Sequence, residues 1–584
     1  MAKHKEINFL NGLSSSTGIV IGTAYVRKLD QGIIIPRTSI PTDMIEDEMF
    51  RLKKAQDLVA EELELVKAKI EESLGTSYSD IISAQLAILK DQEIKYQVQA
   101  YIEEYHVNVA YAYKVVVNQY IELLEDHDSE YFKERVSDIR DVKQRVIRAL
   151  ISKQTVLSSF NIDKPTIFVS GDLNPTDIMM LVSENVIGFI TEFGGKTSHV
   201  AILARAMKVP MITGAKEVTQ LIESGQTCIL DADTGKIFVQ PSQELIDEYA
   251  REIILLNKRD EAFQTAFNKK AVTKDGYTFK LGANISLPVE VKDVKKYGGG
   301  GVGLYRTEYL YLMKQHLPEE EELFKEYRLV TEAMEGKEVV IRTMDLGGDK
   351  MSALWDQDIR HEPNPFMGYR AIRICLDKPD VFITQLRAIL RSSAFGNTSI
   401  LLPMITHVEQ LTESLKHIEE VKKTLSKERI PYNKSIKIGM MVETPSAVIN
   451  IESFIDKVDF LSIGTNDLTQ YGLAVDRGNE RVTDIYNHYD PAIIKMIMKV
   501  VEAGHKVNIP VFVCGEMASE YRALILFAAM KVDGLSVAPR YIGAVRNRIN
   551  SCDQKKAQQY LKKVLEMKTR QEIVDYLDSL KDNF

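Results

Sequence analysis

The strongest constraint on this chain lies in its C-terminal half, where strand-like and helix-like sequence alternate eight times. Runs at Leu281–Ile285, Gly301–Tyr305, Val339–Met344, Ile400–Ile405, Ile436–Val442, Phe460–Ile463, Val511–Val513 and Gly534–Val537 are nearly continuous in apolar residues, with helical sequence between them. Strands of that texture are buried on both faces, as in a parallel sheet covered by helices. Eight such units over about 300 residues predict a (β/α)8 TIM barrel across 273–584, with a doubly wound open sheet as the alternative.

A barrel also says where to look for chemistry, because catalytic groups gather just past the C-terminal ends of its strands. There the sequence places Asn284; Arg306 and Glu308; Arg342, Asp345, Asp349 and Lys350; Glu443; Asn466 and Asp467; Cys514 and Glu516. Arg477 follows soon after the sixth strand. Solvated loop charges would explain any one of these, but not their repetition at most of the strand ends. Arg306, Arg342 and Arg477 with Lys350 can clamp a small substrate bearing phosphate and carboxylate through bidentate bonds. Glu443 and Asp467, on adjacent strands, are hard oxygen ligands suited to Mg²⁺, which would offset charge in phosphoryl transfer. The Asn466 side chain can hold phosphate oxygens, and Cys514 can give or take a proton at one carbon of the substrate; a buried inert thiol is the plainer reading of Cys514.

A second feature is Gly194-Gly195-Lys196-Thr197-Ser198-His199-Val200-Ala201-Ile202-Leu203-Ala204-Arg205. Two glycines permit a tight turn, Thr197 or Ser198 can cap a helix, and the apolar spacing from Val200 continues it. His199 then lies near a helix N-terminus, where the field favours anions and keeps imidazole neutral and nucleophilic. That is what attack on a phosphoryl group requires. A capping-region histidine without chemistry is the plainer reading.

The rest of the chain supplies a setting. Strand signals at Gly18–Val26, Pro165–Ser170, Val186–Thr191, Met211–Thr213, Thr227–Asp231 and Ile237–Val239 predict a small α/β domain over 1–30 and 152–240 that contains His199. Between its halves, Met49, Leu52, Ala55, Val59, Leu63, Val66 and Ile70 recur at helical spacing, and further helical patterns at 79–89, 94–105, 109–124 and 129–151 complete an inserted bundle over 31–151. Such a bundle is a candidate partner-binding module. Residues 241–272 read as a charged linker helix, and Gly298–Gly301 suggests local flexibility ahead of the second barrel strand. A net charge of −9 argues against a nucleic-acid-binding body. Cys228, Cys375, Cys514 and Cys552 lie far apart with no CxxC pair, so neither a disulfide framework nor a thiolate zinc site is indicated. No run approaches a membrane span, and Met1–Leu13 lacks the apolar core of a signal peptide, so a cytoplasmic protein without membrane insertion is expected.

Together with Gly194–Arg205, the motifs Gly301-Val302-Gly303-Leu304-Tyr305-Arg306-Thr307-Glu308, Arg342–Lys350, Met441-Val442-Glu443-Thr444-Pro445, Ser462–Tyr471 and Cys514-Gly515-Glu516 resemble enzyme I. This family comprises the phosphoenolpyruvate–protein phosphotransferases of the bacterial sugar phosphotransferase system. The resemblance runs over essentially the whole chain. It implies that His199 carries the phosphoryl group on Nε2, that Arg306, Arg342, Asn466, Asp467 and Arg477 hold phosphoenolpyruvate, and that Glu443 with Asp467 binds Mg²⁺. It further implies that Cys514 protonates the enolate to release pyruvate, that the helical insert docks the phosphocarrier HPr, and that the barrel forms a homodimer. The His199 domain is then expected to swing between the barrel rim and HPr. Lys196 and Asn174 depart from the family's usual arginine and threonine, leaving open which group orients the His199 ring. The rival readings are a pyruvate-phosphate dikinase-like enzyme, for which no ATP-binding domain is visible, and a catalytically idle regulatory module.

Overall fold

The computed structural model describes residues 9–27, 35–74, 80–125, 130–152, 164–174, 177–178, 181–182, 185–195, 199–265, 269–312, 317–347, 364–477, 479 and 481–580. The chain divides into two units, Met1–Asn257 and Lys258–Phe584.

The first unit carries a mixed eight-stranded sheet. Its strands are β1 (Phe9–Asn11), β2 (Leu13–Ser16), β3 (Ile19–Arg27), β4 (Thr166–Ser170), β5 (Val186–Thr191), β6 (Met211–Thr213), β7 (Thr227–Asp231) and β8 (Lys236–Val239), in the order β1-β8-β7-β3-β4-β5-β6-β2. The centre, β3 to β6, is parallel; the flanks are antiparallel. β1 and β2 have no counterpart in the sequence reading, because neither Phe-Leu-Asn nor Leu-Ser-Ser-Ser carries a strand signal beyond its edge pairing.

Between β3 and β4 the described residues make five α-helices, α1 (Ile45–Leu74), α2 (Asp80–Leu89), α3 (Gln92–Tyr105), α4 (Val109–Glu125) and α5 (Glu130–Ser152). Leu52, Ala55, Val59, Leu63, Val66 and Ile70 form the buried stripe of α1. Inside the bundle Arg145 is almost fully buried and forms ion pairs with Glu62 at 2.7 Å and Asp141 at 3.0 Å. Asp141 also accepts from the Asn174 amide at 2.8 Å, which ties α5 to the loop after β4. Removing Arg145 would leave two buried carboxylates uncompensated.

The helix Gln243–Thr265 follows β8. Helix does not continue through 272 as the linker reading expected: Ala271–Val272 forms β9, paired antiparallel with Thr278 and Phe279 of the next strand. The turn Thr273–Gly276, in which Gly276 has φ 95, makes a hairpin there instead.

The second unit is a closed barrel. Strands β10 (Thr278–Ile285), β11 (Gly301–Tyr305), β12 (Glu338–Arg342), β13 (Thr398–Leu402), β14 (Lys437–Val442), β15 (Phe460–Ile463), β16 (Val511–Val513) and β17 (Gly534–Val537) are all parallel to their neighbours, and β17 and β11 both pair with β10. Closure excludes the open-sheet alternative. Two runs end earlier than the apolar sequence suggested: Met344, Met404 and Ile405 are buried beyond the ladders of β12 and β13, in the loops of the C-terminal mouth. The glycines at 298–301 are not loosely packed. Gly298 has φ 70, and a Cβ at Gly301 would stand 2.5 Å from the Glu338 carbonyl oxygen, so the run serves close approach rather than flexibility. Among the described residues no helix is long and apolar enough to cross a membrane.

Candidate active site

The C-terminal mouth of the barrel concentrates buried charge. Arg342, at the end of β12, donates to Glu308 at 2.7 Å and pairs with Asp345 at 2.9 Å, all three being buried. Arg370 pairs with Asp345 at 2.7 Å, reaches Asp467 at 3.6 Å and donates to the Tyr471 hydroxyl at 3.0 Å. Arg477 completes the chain of charges, 3.7 Å from Asp467 Oδ1. Burial disfavours the Arg342 and Arg370 cations, but the carboxylates beside them outweigh it and hold both charged.

Two more carboxylates, Glu443 and Asp467, are buried at this mouth. Glu443 follows β14 and is 1% exposed; its Oε1 accepts from the Met404 amide at 2.6 Å. Burial, then the charges of Asp467 and Asp345, push its carboxyl up to about 8 against the pull of Arg342 and Arg370. Asp467, in the helix Thr465–Gly472 after β15, keeps Oδ1 buried without a hydrogen bond among the described residues. Gly464 makes room for the Glu443 carboxylate, since a Cβ there would stand 2.7 Å from its Oε2. Two buried carboxylates at one mouth, one of them with an oxygen that accepts no hydrogen bond among the described residues, fit a hard divalent cation. No cluster of three or more His, Cys, Asp or Glu suited to a metal occurs among the described residues, so the remaining ligands would come from substrate and water.

Cys514, at the end of β16, is 2% exposed. Its sulfur accepts from Ser462 Oγ at 3.2 Å and lies 3.6 Å from the Ile463 carbonyl oxygen. Its backbone carbonyl accepts from the Asn284 amide at 2.9 Å. Burial and the Glu443 charge push the thiol up; Ser462, Arg342 and Arg306 act in the opposite sense. The thiol is thus a protonated group at neutral pH with cations near enough to stabilise its anion. Asn466 turns its side-chain oxygen to the Glu516 amide at 2.9 Å, joining the β15 and β16 ends. Gly515 makes that junction possible: a Cβ would fall 1.8 Å from Thr465 Oγ1.

In the first unit, His199 is the first residue of the helix His199–Ala206. Arg205 of that helix donates to the Ser15 carbonyl at 2.8 Å, fixing it against β2. Gly194 has φ 99, as the tight turn before the helix requires. Lys196, Thr197 and Ser198, and Asp349 and Lys350 of the barrel, lie outside the described residues. Asn174 spends its amide on Asp141.

The barrel therefore gathers Arg306, Glu308, Arg342, Asp345, Glu443, Asn466, Asp467, Arg477 and Cys514 at one mouth. The sequence reading missed Arg370, which bridges Asp345 and Asp467. It sits in the long connection after β12, beside no strand end, and Ala371 after it has φ 52, so no strand-end rule could select it.

Three family models match in series: PEP-utilising enzyme, N-terminal, over 11–135; its mobile domain over 162–235; and its PEP-binding domain over 260–554. A phosphoenolpyruvate-protein phosphotransferase of Bacillus subtilis is 40% identical over 568 residues, 97% of this chain and 99% of the relative. Those of Staphylococcus carnosus (36% over 577 residues, 98% and 99%) and Haemophilus influenzae (37% over 543 residues, 92% and 94%) are similar along their length as well.

Proposed function

Because this chain belongs to the phosphoenolpyruvate-protein phosphotransferase family, we propose that it moves the phosphoryl group of phosphoenolpyruvate to its own His199, then to a histidine of HPr, releasing pyruvate. What supports this reading most is the barrel mouth, where Glu443, Asp467, a buried arginine network and the Cys514 thiol meet.

In this reading Arg306, Arg342 and Arg477 hold the phosphate and carboxylate, with Asn466 lending hydrogen bonds. Arg342 is already braced by Glu308 and Asp345, so it meets the substrate with little reorganisation. Glu443 and Asp467 would hold Mg²⁺, which supplies positive charge to the substrate's oxygens when bound. Arg370 positions Asp467 by pairing with it and with Asp345. The bridging O–P bond breaks as His199 Nε2 bonds to phosphorus, and the enolate that remains takes the Cys514 proton at its methylene carbon. The resulting thiolate is stabilised by the Ser462 hydroxyl and the Arg306 and Arg342 charges, then recovers a proton from solvent.

The helical insert is the proposed dock for HPr, the helix Gln243–Thr265 the linker on which the His199 domain swings, the barrel a homodimer, and the cytoplasm the setting. A reaction of the full chain with phosphoenolpyruvate, Mg²⁺ and HPr tests the reading: pyruvate should appear in step with phospho-HPr and without ATP. A requirement for ATP, or pyruvate release uncoupled from HPr phosphorylation, would contradict it.

A further inference from the structure

The other end of the barrel holds a cavity of about 530 Å³, lined by the N-terminal ends of the strands and the glycine run Gly298–Gly301. A barrel interior is ordinarily filled by layers of side chains. Here Gly282 and Gly303 contribute none, and the inner wall is made by Val340, Phe460, Phe512 and Leu535. The volume matches that of sites for small organic molecules.

The mouth of this cavity is basic. Its lining includes Lys269, Lys270, Lys280, Lys337 and Arg546 against one carboxylate, Glu338, which is engaged by the Ser399 hydroxyl at 3.0 Å. Arg546 is the telling group. It is 3% exposed, and its Nη2 donates to the Gly298 carbonyl at 2.5 Å, capping the end of the helix Val291–Lys296. Among the described residues its Nη1 has no hydrogen-bond partner, and none of their carboxylates is recorded in an ion pair with it. Burial alone pulls its pKa down, the reverse of Arg342 and Arg370 at the opposite mouth. A buried guanidinium with unspent donors costs stability unless an anion meets it. An apolar wall rimmed by lysines, with the Arg546 guanidinium in its lining, is the complement of an amphiphilic anion.

We propose that this cavity is a second binding site, taking a small organic anion whose apolar body lies against Phe460 and Phe512 and whose carboxylate, sulfonate or phosphate meets Arg546. Ser462 forms part of its inner wall and donates to Cys514 on the other side, so an occupant adjoins the thiol from below. The binding itself does not depend on any role for Cys514.

The test is a fluorescence titration of the full chain with 1-anilinonaphthalene-8-sulfonate and with its neutral counterpart N-phenyl-1-naphthylamine. The sulfonate should bind at one site at least tenfold more tightly than the neutral compound. Arg546→Met should erase that preference. Because Arg546 also caps a helix, the exposed Lys280→Glu is a second variant, expected to weaken the sulfonate at least fivefold more than it weakens the neutral compound, since Lys280 also lies over the Phe512 ring. Saturating phosphoenolpyruvate with Mg²⁺ should not displace the probe. Equal affinity for the two compounds, indifference to both substitutions, or displacement by phosphoenolpyruvate would overturn the assignment.

Discussion

Ser462→Ala isolates the proton-transfer step. Ser462 is 2% exposed, and its hydroxyl is the donor to the Cys514 sulfur at 3.2 Å. Alanine removes that hydrogen bond without adding volume, and the Ile463 carbonyl, an acceptor only, cannot replace it. A hydrogen bond is worth about 1 kcal/mol to a neutral acceptor and about 1.5–3 kcal/mol to a charged one. The bond to the neutral thiol is lost in the ground state as well, so only its strengthening counts; with sulfur part-way to thiolate the barrier should rise by about 0.5–1 kcal/mol, or about 2- to 5-fold in rate. The assay is single-turnover pyruvate formation in deuterated water, read as deuterium at the methyl carbon, beside phosphoryl exchange between the enzyme and phospho-HPr. The first should slow by that factor and the second should hold, since it never involves the enolate. Equal slowing of both, or of neither, would refute the assignment of Cys514 as proton donor.

Three further outcomes follow from the same mouth. Arg342→Met leaves Glu308 buried without its cation and Asp345 with Arg370 alone, and should destabilise the barrel by about 3–5 kcal/mol, with part of the loss recovered by adding Glu308→Gln, measured by denaturant unfolding. Gly515→Ala drives a methyl into buried Thr465; it should cost about 1–3 kcal/mol and weaken phosphoenolpyruvate binding at least tenfold by calorimetry, because Asn466 and Asp467 follow Thr465. The Cys514 thiol is held above its ordinary range by burial, so it stays protonated as pH rises past the point where a free thiol ionises. Deuterium incorporation should therefore hold level as pH rises above neutral into the range where a free thiol begins to ionise, and iodoacetamide should label Cys514 far more slowly than a free thiol at the same pH.

Much of this architecture could be read from residues because periodicity and burial agree. All eight barrel strands were legible as apolar runs, and the α1 stripe as three- and four-residue steps. What escaped was set by distant partners. Phe9–Asn11 is a strand only because Phe238 to Lys236 pairs with it. Met344 reads as strand because it is apolar, yet its amide donates to the Gln385 side chain instead of a neighbouring strand. The rim acids and arginines were visible from their place after the strands, whereas Arg370 reaches Asp345 and Asp467 from a loop whose path no local rule determines. Likewise, nothing in the glycine run announced that it would border a basic cavity, since the lining converges from strands far apart in sequence.

The most direct measurement is to incubate the full chain with phosphoenolpyruvate labelled in its phosphoryl group and Mg²⁺, map the label, and then add HPr. The account predicts one acid-labile phosphoryl group on the His199 peptide, absent in His199→Ala and discharged to HPr on addition. Label on another residue, label retained by His199→Ala, or label on His199 that HPr cannot remove would contradict it.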